Sequence, residues 1–382
     1  MILIEKHIIK QSHPFFNECD SLCFKSKNIY NQALYNVRQY YFENKKYLKY
    51  VNNYHLTTKQ ECYNYLPTKV FCQTLKMVDN NFKSFFSLLK NKTVINKIPK
   101  YLDKDGRFIC KFPKQALGLK IFKQTGKIHL SQTNINIQTK LVDFNIIKEV
   151  RIVPSTNQYV IEVVYEKRTK ELKSDNNRYC SIDLGINNLA TVTSNVIKPL
   201  IINGKPLKSI NQYYNKRISR LKSKLIKGQK TSHHIQRLTN KRNNKINDYL
   251  HKHSRYIVNH LVSNNINTLV IGYNKNWKQD INIGKVNNQK FVNIPFLKFI
   301  NLLNYKCELE GIRVIINEES YTSKCSFLDN EEICKHDVYK GKRIKRGLYK
   351  SSNGKLINSD VNGSLNILRK VFPNINLINN GI

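Results

Sequence analysis

Acid is scarce in this sequence: 26 Asp and Glu stand against 65 Lys and Arg, a formal charge of +39 over 382 residues. That surplus goes far beyond what solubility needs and predicts a polyanionic partner. Long apolar runs are missing as well. No stretch approaches the roughly 18 uninterrupted apolar residues of a membrane span, and Met1-Ile2-Leu3-Ile4 is broken at once by Glu5-Lys6-His7, so neither insertion nor secretion is expected. Paired cysteines are lacking too. The nine present are odd in number and scattered, which speaks against a disulfide framework and for free thiols in a reducing cytoplasm. What the chain does have is apolar material, 40% hydrophobic and 10% aromatic with 22 Tyr, too much for a disordered basic tail. Its length leaves room for two or three domains.

The pattern of apolar residues divides the chain. Residues 2 to 10 alternate as a short strand. Helical spacing follows from about 20 to 50 (Ile29, Ala33, Leu34, Val37) and again after Pro67-Thr68 (Val70, Leu75, Val78, Phe82, Phe85, Phe86). From about 95, Pro99, Asp105-Gly106 and Pro113 punctuate strand-like segments at Arg107–Phe112, Ile128–Leu130, Val150–Val153 and Tyr159–Tyr165. The expected layout is a β domain from 1–10 and 95–170, with a helical lobe, 11–94, inserted in it.

An α/β nuclease-like domain is expected from 171–320 and 351–382, opening with strand, tight turn and strand over residues 178 to 194. A helical hairpin follows at 206–263. Between Lys205 and Arg255 it holds fifteen Lys or Arg against the single acid Asp248, an unpaired run that suits a phosphate backbone. Its candidate contacts are Arg217, Arg220, Lys222, Lys224, Arg237, Lys241 and Arg242. The stretch 321–350 reads as irregular and basic, and its Lys342, Arg343 and Arg346 are further candidates for nucleic acid. The lone tryptophan, Trp277, reads as a loop anchor.

Two carboxylates stand out. Asp183 ends a strand just before a glycine turn, and Asp360 opens a helix in Asn358-Ser359-Asp360-Val361-Asn362-Gly363. Carboxylates gathered from distant segments are what a site needs to hold two Mg²⁺ roughly 3.5–4 Å apart. The segments Ile182-Asp183-Leu184-Gly185-Ile186-Asn187-Asn188-Leu189-Ala190-Thr191 and Asn358 to Leu368 resemble the first and third RuvC motifs of TnpB proteins. These are transposon-encoded RNA-guided nucleases long filed as OrfB transposases and related to Fanzor proteins and type V CRISPR effectors. Ile98-Pro99-Lys100-Tyr101 and Glu149 to Pro154 resemble the β (wedge) domain, and Phe82-Lys83-Ser84-Phe85-Phe86 the recognition lobe.

The resemblance implies an RNase H-like (RuvC) domain beside an antiparallel wedge domain. It further implies a guide noncoding RNA and target double-stranded DNA as partners, and cleavage next to a short adjacent motif. Two departures matter. The family places a glutamate at the end of the strand after the hairpin, where this chain has Gly272. The neighbouring strand instead ends in Asn317-Glu318-Glu319-Ser320-Tyr321-Thr322-Ser323, which resembles the rearranged site of Fanzor proteins and one TnpB branch, so the third ligand is expected to be Glu319. Strand alternation lets only one of Glu318 and Glu319 face the metals. The family also often carries a four-cysteine zinc ribbon before the third motif. This chain offers Cys325, Cys334 and His336 with no paired spacing, and no zinc is expected.

The reading is an RNA-guided, Mg²⁺-dependent DNA endonuclease with Asp183, Glu319 and Asp360 as catalytic metal ligands. The alternatives are a nuclease-dead RNA-guided repressor, suggested by Gly272, and a DNA transposase, for which no synapsis domain is visible.

Overall fold

A computed structural model describes residues 1–90, 97–274, 279 and 284–375; Trp277 lies outside these. The chain parts into two compact units, Met1–Lys167 and Arg168–Ile382.

The first unit runs β1 (Ile2–Lys10), α1 (Phe16–Asn44), α2 (Tyr50–Thr58), α3 (Thr68–Lys90), β2 (Cys110–Pro113), α4 (Leu119–Thr125), β3 (Lys127–His129), β4 (Asn136–Gln138), β5 (Ile147–Ser155) and β6 (Gln158–Glu166). Four strands form an antiparallel sheet in the order β1-β6-β5-β2, with β1 paired to β6 from Ile2↔Glu166 to Lys10↔Gln158. The helices between β1 and β2 have no core of their own. Ile29, Leu34, Val70 and Phe82 share one buried cluster with Phe112, Val150, Ile152 and Ile161 of the sheet. The strand expected at Arg107–Phe112 begins only at Cys110, because Arg107 is drawn away by α1. Its guanidinium donates to Asp20 Oδ1 (2.9 Å) and Oδ2 (2.7 Å), while the Tyr159 hydroxyl donates to the same carboxylate at 2.5 Å.

The second unit runs β7 (Tyr179–Leu184), β8 (Asn188–Ser194), β9 (Leu200–Asn203), α5 (Lys205–Lys222), α6 (His233–Ser263), β10 (Thr268–Gly272), α7 (Lys285–Val292), α8 (Phe296–Leu309), β11 (Arg313–Asn317), β12 (Lys342–Lys345), β13 (Leu348–Lys350), β14 (Leu356–Asn358) and α9 (Ser359–Val371). Strands β7, β8 and β9 form an antiparallel meander, and β10 and β11 add on the other side of β7 in parallel, giving the order β11-β10-β7-β8-β9. This is the strand order of an RNase H-like sheet in a mixed α/β chain. Every residue of β10, Thr268-Leu269-Val270-Ile271-Gly272, is buried, as a central parallel strand covered on both faces must be. Leu269 and Ile271 pack with α6 and α8 on one face; Val270 packs with Ile367 and Leu368 of α9 on the other.

The segment read as irregular is partly ordered pairing: β12, β13 and β14 form a small antiparallel sheet. Every residue of β12, Lys342-Arg343-Ile344-Lys345, is exposed, so the alternation that betrays a half-buried strand is absent. The loop before it is organised by a buried acid. Glu331 accepts the Ser326 N–H at Oε2 (2.7 Å) and the Lys340 N–H at Oε1 (2.8 Å), and its carbonyl accepts Arg369 Nη2 of α9 (2.5 Å).

Glu331→Ala should therefore orphan two amides that a charged acceptor now satisfies, lowering stability by about 2–4 kcal/mol. Chemical denaturation measures the loss. Hydrogen exchange should show it as faster exchange at Ser326 and Lys340 with α6 unchanged.

Candidate active site

Parallel strands bring their carboxyl ends to one edge, where a crevice for ligands forms. Here that edge carries Asp183 on β7, Gly272 on β10 and, two residues beyond β11, Glu319; Gly272 lies in register with Asn317. Helix α9 delivers Asp360. Asn358 caps that helix, its side-chain oxygen accepting the N–H groups of Asp360 (2.9 Å) and Val361 (3.3 Å).

Two glycines set the spacing. A Cβ at Gly363 would lie 2.9 Å from Asp183 Oδ2, so only a residue without a side chain lets α9 sit this close to the β7 carboxylate. A Cβ at Gly272 would lie 2.7 Å from Glu319 Oε2 and 2.5 Å from Ile367 Cδ1. The Glu319 carboxylate thus occupies the space over Gly272. Its backbone is pinned there: Glu319 N–H donates to Asn274 Oδ1 (3.0 Å), and the Thr322 hydroxyl donates to Glu319 O (2.8 Å).

The neighbouring glutamate behaves differently. Glu318 is exposed, accepts Lys370 Nζ at 2.6 Å and bonds Ser320, and these contacts hold its carboxyl below the usual range. Glu319 Oε2 is buried with no hydrogen-bond partner among the described residues. Burial first, and then the charge of Glu318, push the Glu319 carboxyl up to about 7, against the pull of Lys370. Burial likewise drives Asp183 well above the carboxylate range, helped by the charges of Glu319 and Asp360 and opposed by Arg343.

Asp360 is turned outward. Its Oδ2 accepts Asn188 Nδ2 (2.7 Å) and its Oδ1 lies 3.5 Å from Arg343 Nη2, which also donates to Ser359 Oγ (2.8 Å). Among the described residues, no three His, Cys, Asp or Glu side chains make a closed metal-binding group. Asp360 rests against an amide and a guanidinium. The donor set is nonetheless one that hard divalent cations take, since all three are carboxylates and one offers a buried, unsatisfied oxygen.

Several residues escaped the sequence reading. Ser181, Thr193 and Ser364 form a wholly buried hydroxyl cluster joining β7, β8 and α9, with Ser181 Oγ donating to Ser364 O (2.7 Å) and Thr193 and Ser364 hydroxyls 2.8 Å apart. On another side of α9, Asn366 Nδ2 donates to Thr322 O (2.9 Å) and Cys325 O (2.7 Å), and Asn362 Nδ2 to Cys325 O (2.9 Å). The available signal was polar Asn362, Ser364 and Asn366 amid the apolar residues of a helix. Asn188, holding Asp360 from 172 positions away in sequence, left no signal.

Of the candidate nucleic-acid contacts, Arg217, Arg220, Lys222, Lys224, Arg237, Lys241, Lys342, Arg343 and Arg346 are exposed. Arg242 is not free to meet a phosphate. Its guanidinium donates to Asn211 Oδ1 (2.9 Å), Asn243 Oδ1 (3.0 Å) and Asn293 O (3.2 Å) and stacks over Tyr214, bracing α5, α6 and the turn before α8. Cys334 Sγ lies 3.4 Å from His336 Nε2, whereas the buried Cys325 thiol faces the Cys334 carbonyl.

Two family models match around this site. One, OrfB_IS605, described as a probable transposase, covers residues 162–278, and a Cas12f1-like TNB domain covers 296–367. Over these segments the chain is similar to TnpB proteins. A TnpB-like protein, ORF457 of Acidianus two-tailed virus, is 28% identical over 208 residues, 52% of this chain and 43% of that one, so the chain spans less than half of that relative's length. Among solved structures, a Cas12f1–sgRNA–target DNA complex is similar at 14% identity with a TM-score of 0.58, over 92% of this chain and 82% of that one. That likeness is one of fold.

Glu319 is costly to stability without a cation, and pH sets how much. Below about 4.5 the carboxyl is protonated in folded and unfolded chains alike; between about 4.5 and 7 only the folded form keeps its proton, so stability falls as pH rises. In chelator, Glu319→Gln should match wild type near pH 4.5 and exceed it by up to about 3 kcal/mol above pH 7. Denaturant titrations across that range measure the difference; a pH-independent gap would remove the buried charge from the account.

Proposed function

We propose that this chain is a TnpB-like, RNA-guided DNA endonuclease in which Asp183, Glu319 and Asp360 hold two Mg²⁺ ions. The observation that carries the reading is the Glu319 carboxylate: it fills the gap over Gly272, beside Asp183, with one buried oxygen lacking a hydrogen-bond partner among the described residues. A binding-only protein would gain nothing from that burial, which opposes folding. The bound ions would activate water and stabilise the leaving oxygen of a phosphodiester.

The chain's own residues supply the rest. Gly363 lets α9 approach Asp183, Asn188 orients Asp360, and the exposed bases of α5 and α6 provide the field that draws a phosphate backbone. A guide RNA would read the target by base pairing, leaving the protein to hold the heteroduplex by its backbone. Arg343, exposed and resting against Asp360, would be available to a DNA phosphate at this site.

Glu319→Gln keeps the shape and removes the charge. With the host-derived RNA and a matched duplex in Mg²⁺, it should abolish cleavage, as should Asp183→Asn and Asp360→Asn, while guided binding persists. Glu318→Gln should cut nearly as wild type. Double substitutions should be scarcely worse than single ones, because the acids act together. Normal cutting by Glu319→Gln would defeat the assignment, and a wild type that binds without cutting would make the chain a repressor.

Neutralising Arg217, Arg220, Lys222 and Lys224 together should weaken nucleic-acid affinity for every guide and flatten its salt dependence. Filter binding across a salt series reads both; an unchanged slope would take these side chains off the interface.

A further inference from the structure

Beside the carboxylates lies a second feature that their chemistry does not use. A cavity of about 530 Å³ opens between α5 and α7, lined among the described residues by three lysines and five side-chain amides and by no acid. Its size falls in the range of small-ligand sites, roughly 300–1,000 Å³. Lys208, in the first turns of α5, forms one wall, and Lys290 of α7 another. Asn211, Asn215, Gln289 and Asn293 supply donors and acceptors between them.

The cavity is fastened to the nuclease edge. Lys208 Nζ donates to Asn187 Oδ1 (2.7 Å), in the turn that joins β7 to β8 just past Asp183, and Gly204 N–H donates to Asn187 O (2.6 Å) at the start of α5. Its floor is rigid. Asn211 is buried, accepting from Arg242 and donating to Asn293 O (3.4 Å). Burial first, and then the like charges of Lys290, Arg346 and Lys205, lower the Lys208 ammonium below the ordinary lysine range. Cations from α5, α7 and the β12–β13 turn thus converge where no acid among the described lining residues neutralises them. Such crowding is relieved by an anion, and the lysines suit a phosphate as the amides suit the edge of a base.

We propose that this cavity holds one nucleotide of the DNA strand that runs into the carboxylate site, with Lys208 and Lys290 on its phosphate and the amides on its base. The proposal rests on the nuclease reading for the choice of DNA over RNA, because the cavity shares the Asn187 turn with Asp183. It makes the α5–α7 wall a guide for the strand about to be cut.

The test uses the full chain, Ca²⁺ in place of Mg²⁺, and labelled oligothymidylate of about twelve nucleotides, within the span of single-strand sites. In anisotropy titrations over a salt series, Lys208→Gln/Lys290→Gln should weaken binding by about tenfold or more. The double substitution should also lower the salt slope by about 1.4, two contacts at about 0.7 each. Lys290→Gln alone, which leaves the Lys208–Asn187 bond in place, should give about half that change in slope. Asn215→Ala/Gln289→Ala should alter the order of affinity among oligomers of different base with the slope unchanged. Lys6→Gln, an exposed residue of β1 paired with Glu162, serves as the control and should behave as wild type.

A wild type that ignores oligothymidylate, unchanged affinity in both lysine variants, or a loss confined to oligouridylate would overturn the proposal. The two readings fail separately. Guided cleavage by wild type at the same rate and position as by Lys290→Gln would remove the cavity from the strand's path and leave the nuclease standing. A wild type that never cuts would end the nuclease reading, while the binding titrations still decide the cavity.

Discussion

A carboxylate can lie over the end of a fully buried strand such as β10 only where something smaller makes way, and the site turns on that constraint. Position 272 has no side chain, so Glu319 folds over it from the neighbouring strand. Position 363 has none either, so α9 reaches Asp183. Acids from two strand ends and one helix thereby gather at one end of the sheet, where the charges of Glu319 and Asp360 add to burial in raising the Asp183 carboxyl.

Helix α9 converts that crowding into a defined geometry. One side locks to the sheet through the Ser181, Thr193 and Ser364 hydroxyls; another holds the chain after Glu319 through Asn362 and Asn366; its first turn presents Asp360. Buried polar groups of this kind specify one arrangement because each has a partner only there. The same helix reaches the Glu331 loop through Arg369.

Much of this was legible in the sequence, for identifiable reasons. The β10 run of apolar residues, the basic hairpin and the Asp183 and Asp360 motifs are local patterns, and strand alternation already separated Glu318 from Glu319. What could not be read depends on meetings between distant segments. The bracing role of Arg242 looked like one more charge in a basic run, since sequence does not show that Asn211 and Asn293 fold around it. Glu331 carries no local sign of its role, since its two amide bonds arise only when residues 326 and 340 close on it. The helices of the first unit looked like a lobe of their own, but apolar spacing gives no hint of whether the buried face meets other helices or, as here, the sheet.

The contact between Glu319 and Gly272 also constrains how such a site can change over time. With Glu319 in place, any side chain at 272 strikes both its carboxylate and Ile367. A side chain at position 272 and the Glu319 carboxylate therefore compete for one space, and either can be accommodated only if the other, with Ile367, gives way. The two positions are coupled, so the tolerance of each to substitution is set by what stands at the other.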